Sequence, residues 1–265
     1  MVELGRPILI GMVHLPALPG SPQNHLPLDD IVGRAVDDAA TLERAGFGAV
    51  IVENFGDAPF AADRVDPITV ASMAVVAREV IQAAALPVGI NVLRNDAAAG
   101  LAIAAAIGAA FIRVNVHVGV AATDQGIIEG QAADTLRLRD RLAPEVGILA
   151  DVHVKHSSPL SQPDIGLAAE ETAYRGQADM LIVSGETTGR AVDLENLRRV
   201  KQAVPDRPLL VGSGASVNTV AELLTHADGV IVGSSLKPGG QIEQPVDAQL
   251  AAAFVRAAGI VGGHT

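Results

Sequence analysis

The stretch DDIVGRAVDDAATLERAGFGAVIVEN, residues 29–54, decides how the rest of the chain is read. Its first part spaces apolar residues among charged ones with helical periodicity. After the two-residue link Gly46–Phe47, the short β-branched run GAVIVEN (48–54) follows and ends in two polar residues. A helix that turns directly into a short, almost wholly apolar strand is part of a βαβ unit, and such strands belong in a parallel sheet covered on both faces.

Working outward, the same kind of run recurs at PILIGMVHL (7–15), PVGINVL (87–93), AFIRVNV (110–116), GILADVHV (147–154), DMLIVSG (179–185), PLLVGSG (208–214) and DGVIVGSS (228–235). That makes eight strands. Helical stretches such as ITVASMAVVAREVIQAA and VNTVAELLTHA lie between them, and a last helix is expected near 247–260. Eight alternating units predict a closed (β/α)8 TIM barrel forming one domain over residues 1–265. Links from helix to strand are short, whereas links from strand to helix are long, as in 16–28, 54–66, 117–129 and 155–163. One end is thus elaborated, as in a barrel whose site lies at the C-terminal ends of its strands. An open doubly wound sheet shares this asymmetry and is the alternative.

Composition narrows the partners. With 19 Lys+Arg against 30 Asp+Glu, a net charge of −11 and 2% aromatic residues, the chain offers neither a basic surface nor stacking platforms for nucleic acid. It has no cysteine, which excludes disulfides, thiolate nucleophiles and Cys-ligated zinc and agrees with a cytoplasmic location. The longest run without Asp, Glu, Lys, Arg or His, residues 97–112, is too short for a transmembrane segment.

Ionisable residues gather where the strands end. Asp151, His153 and Lys155 alternate, as do Arg113, Asn115 and His117, so each set is expected on one face of its strand. Together with Glu53 these are the candidate catalytic residues. The alternative is a satisfied polar layer inside the barrel. His14, Asn91, and Asp124 and Gln125 on a long loop able to close as a lid are candidates for substrate binding, as are Thr187 and Thr188 in SGETTG (184–189). The runs VGSGAS (211–216) and VGSS (232–235) end the seventh and eighth strands. There Gly214, Ala215, Ser216, Gly233 and Ser234 are expected to hold a phosphate, against tight turns as the alternative. No cofactor is predicted. A divalent metal on Asp151, His153 and His117 is the variant considered, though no HExxH-like spacing supports it. Barrels of this size commonly self-associate, so a homo-oligomer is expected.

The motifs GMVHLPALPGSP (11–22), ENFGDAPF (53–60), GINVLRNDA (89–97), TDQGIIEG (123–130), LADVHVKHSSPL (149–160), GETTG (185–189), LLVGSGAS (209–216) and ADGVIVGSSLKPGG (227–240) resemble the BtpA/SgcQ family of predicted TIM-barrel proteins. That resemblance implies the barrel over nearly the whole chain. It also implies two roles: a factor linked to photosystem I biogenesis, with peripheral membrane association, or a sugar-metabolism enzyme similar to phosphoribosylanthranilate isomerase. The residues themselves favour an isomerase, epimerase or lyase working by general acid–base chemistry on a small phosphorylated metabolite. A non-catalytic assembly factor is the alternative.

Overall fold

The computed structural model describes residues 4, 7–154, 157–162, 164–185 and 192–259. In chain order it runs through β1 (Ile8–His14), α1 (Leu28–Ala45), β2 (Ala49–Glu53), α2 (Pro67–Ala83), β3 (Val88–Asn91), α3 (Ala97–Ile107) and β4 (Phe111–Val114). A hairpin of β5 (Val120–Thr123) and β6 (Gly126–Glu129) precedes α4 (Ala132–Leu142), β7 (Gly147–Asp151), β8 (Ser157–Pro159) and α5 (Ile165–Glu170). The chain then continues through β9 (Met180–Val183), α6 (Leu194–Ala203), β10 (Leu209–Val211), α7 (Val220–Leu223), β11 (Gly229–Val232) and α8 (Ala248–Ala257).

Strands β1, β2, β3, β4, β7, β9, β10 and β11 pair in that order, all parallel, and β11 closes back on β1. The expected TIM barrel is therefore the architecture, and the open sheet is ruled out by the β11–β1 pairing. Side chains alternate between two cores. Ile8, Ile10 and Met12 of β1, Ala49 and Ile51 of β2, Phe111 and Leu149 fill the barrel. Leu9, Val13, Val50 and Val52 pack outward with helix residues such as Leu42 and Val76. Gly89 leaves the space that the Phe111 ring occupies, and a Cβ there would collide with it. Helix starts are set by aspartates: Asp96, Asp164, Asp193 and Asp247 each accept a hydrogen bond from a backbone N–H of the first turn.

The elaborated end differs from expectation in one respect. Residues 117–129, read from sequence as a loop, contain the β5–β6 hairpin, and β8 from the loop after β7 joins it in a three-stranded antiparallel sheet ordered β6-β5-β8. Val116, Ala121, Ile128 and Val154 form a small core that holds this sheet against the barrel rim. Among the described residues, no helix is long and apolar enough to cross a membrane.

Candidate functional site

The inward alternation that buries Met12, Ile51, Phe111 and Leu149 carries His14, Glu53, Arg113 and Asp151 into the mouth two residues later. Pairing aligns His14 with Glu53 and Glu53 with Asn91. Arg113 forks onto Asp151: Nε donates to Oδ2 and Nη2 to Oδ1, each at 2.9 Å, with side chains 2% and 0% exposed. Asn115 Nδ2 adds a bond to Asp151 Oδ2 at 3.1 Å, and Ser184 Oγ approaches Oδ1 at 3.3 Å. Asn91 Nδ2 donates to Asn115 Oδ1 (3.1 Å) and to the Arg113 carbonyl (3.3 Å), while its own Oδ1 is buried without a hydrogen-bond partner among the described residues. Burial alone would lower the affinity of Arg113 for its proton. The Asp151 charge and hydrogen bonds, then the Glu53 charge, outweigh that and hold the guanidinium above its ordinary value.

Next to this network, His14 Nε2 lies 3.7 Å from Glu53 Oε1, and the Phe55 ring meets the His14 ring edge-on at 5.1 Å. His14, Glu53 and Arg113 line a cleft open to solvent together with Gly212–Ala215 and Gly233–Ser234. Glycine is favoured at 233, because a Cβ would collide with the His14 ring unless the ring or the loop moved. The two glycine loops are tied together by Ser235 Oγ, which donates to the Ala215 carbonyl at 2.7 Å. Among the described residues, the backbone N–H groups of Gly214, Ala215 and Ser234 have no internal hydrogen-bond partner. Ser216 departs from expectation: its N–H donates to Thr219 Oγ1 (3.0 Å), its hydroxyl meets the same atom at 3.1 Å, and it does not line the cavity.

Other expected residues lie apart. The stretch read as one strand over 147–154 ends at Asp151. His153 follows in left-handed backbone (φ 56°), its Nε2 2.7 Å from the Gln162 carbonyl. It lines a second pocket, between the rim and the small sheet. His117 is buried with Nε2 2.8 Å from the Gly176 carbonyl, and burial, only partly offset by that hydrogen bond, pushes its pKa down. The metal set of Asp151, His153 and His117 is thus not assembled, and among the described residues no three His, Cys, Asp or Glu side chains are grouped to hold a metal ion. Asp124 and Gln125 form the hairpin turn, Gln125 Nε2 donating to Asp124 Oδ2. Lys155, Thr187 and Thr188 lie outside the described residues.

Arg94, which no strand periodicity marks, is buried near the same charges. It is 5% exposed, and burial lowers its pKa against the charges of Asp151 and Glu53, which favour the cation; Arg113 opposes the cation and Asp124 of the hairpin favours it. The only signal was a lone arginine three residues past Asn91 in GINVLRND.

Fold and mouth together define a TIM-barrel protein whose mouth brings an acid, a histidine and an arginine beside two glycine loops. The chain belongs to the BtpA family, whose model matches residues 6–259. It is 48% identical over 257 residues to an uncharacterised protein of Thermococcus kodakarensis, covering 97% of each chain. It is 46% identical over 249 residues to the photosystem I biogenesis protein BtpA of Synechocystis sp., covering 94% of this chain and 87% of that one. The solved phosphoribosylanthranilate isomerase of Pyrococcus furiosus is similar in fold, with a TM-score of 0.59 at 16% identity over 95% of this chain and 98% of that one.

Proposed function

We propose that this protein is an enzyme acting by general acid–base chemistry on a small phosphorylated metabolite, a sugar phosphate or phosphoribosyl compound, in an isomerase, epimerase or lyase reaction. The observation that carries this reading is that Glu53 and His14 line the same cleft as the two glycine loops, with Gly233 packed against the His14 ring. The phosphate sits on the N–H groups of Gly214, Ala215 and Ser234, with Gly233 giving the close approach. Glu53 takes a proton α to the substrate carbonyl, and His14 delivers one to the neighbouring oxygen. Arg113, kept cationic by Asp151, and Arg94 stabilise the negative charge that develops there. Asp151 is saturated by Arg113, Asn115 and Ser184, so it positions Arg113 rather than serving as the base. Asn91 Oδ1 accepts a substrate hydroxyl, and the hairpin turn at Asp124 and Gln125 closes over the site.

A thermal-shift series tests this. Ribose 5-phosphate at a hundredfold excess over its dissociation constant stabilises the folded protein by about 2.7 kcal/mol. Ser234→Asp, which brings a carboxylate to the anion seat, abolishes the shift; a shift unchanged in that variant contradicts the assignment. The second reading, an assembly factor, is favoured by the name of the Synechocystis relative. It predicts that Glu53→Gln leaves assembly intact, because a scaffold does not need an ionisable group there.

A further inference from the structure

Residues 238–245 are exposed apart from half-buried Ile242, which lines the glycine-loop cavity. The segment leaves the body through Gly239 and Gly240, at φ 60° and 71°, a left-handed turn that favours glycine. One buried ion pair holds both of its ends. Lys237 Nζ donates to the Gln244 carbonyl at 2.7 Å and lies 3.4 Å from Asp38 Oδ2, while Asp38 Oδ1 accepts from the Val246 N–H at 2.7 Å. Leu236 and Asp247 close the same neck through a backbone bond of 2.8 Å.

Asp38 sits in the otherwise apolar buried stripe of α1, with Ile31, Ala35, Ala39 and Leu42. A buried ion pair is a weak source of stability, and apolar residues would pack the helix at least as well. What an apolar pair lacks is the set of bonds to Gln244 and Val246, which hold the returning strand of the loop.

We propose that Lys237 and Asp38 are positioning residues for the cavity: their pair pins the neck of the 237–246 loop and so holds Ile242 over the anion seat as a movable apolar wall. The ligand class is the phosphate ester of the proposed function, on which this inference rests. Excluding water at Ile242 strengthens the hydrogen bonds from the glycine loops to the phosphate.

The chain contains no cysteine, so single thiols report local opening cleanly. Met12→Cys places one in the cleft lining, and Ala104→Cys, on the buried face of α3, places a control away from it. The readout is the ratio of their labelling rates with a thiol reagent, which cancels global unfolding. Lys237→Met and Ile242→Ala should each raise that ratio about tenfold. An unchanged ratio in Lys237→Met overturns the positioning role, and one in Ile242→Ala overturns the wall. Inorganic phosphate should slow only the cavity thiol. A ratio that responds to the loop variants but not to phosphate supports the clamp and overturns the phosphate reading alone.

Discussion

Asp151 and Arg113 meet through two parallel hydrogen bonds of 2.9 Å with both side chains closed off from solvent. This pair is the centre of the polar layer. Removing one partner leaves the other charged and buried. Asp151→Ala should therefore destabilise the protein by about 3–5 kcal/mol, and Asp151→Asn, which keeps an acceptor, by less. Urea unfolding measures both; equal small losses would mean that Arg113 reaches water when its partner is removed.

The cramped approach of Gly233 to His14 gives a second expectation. Gly233→Ala puts a methyl group into the imidazole, and overpacking of this kind costs about 1–3 kcal/mol. The His14 ring should move away from Glu53, changing its carbon-bound proton shifts, while circular dichroism stays native. An unmoved ring would show that the loop yields instead.

Burial of His117 makes stability depend on pH. Its pKa is lowered in the folded protein, so the unfolded chain binds the extra proton more readily. Its contribution is fully present above the unfolded value near 6.5 and is lost as pH falls from there towards the folded value, at no more than about 1.4 kcal/mol per pH unit. His117→Gln should flatten the slope of unfolding free energy between pH 7.5 and 5.5. An identical slope in the variant would assign the dependence elsewhere.

The barrel was legible because eight apolar runs of nearly equal length, several followed by a long loop, leave little else to build. The inward groups Arg113 and Asp151 were legible for the same reason, since period-two alternation holds while the ladder lasts, and Asn115, one residue past the end of β4, still keeps it. It failed where the ladder stops. β4 ends at Val114 and β7 at Asp151, so His117 and His153 follow loop geometry and turn to the carbonyls of Gly176 and Gln162. Arg94 and Ile242 lie on loops with no periodicity to read. Ser216 looked like a phosphate donor because its pairing with Thr219, three residues on, is a turn property rather than a motif.

In the proposed reaction Glu53 removes a proton from a phosphorylated substrate held by the glycine loops. The most direct measurement is nuclear magnetic resonance of ribose 5-phosphate and other phosphorylated sugars in deuterium oxide with catalytic amounts of protein. Exchange of the proton α to the carbonyl is expected, with the rate reduced about a hundredfold or more in Glu53→Gln. Exchange at the same rate in Glu53→Gln, or none with any phosphorylated sugar that stabilises the fold, would contradict the proposed reaction.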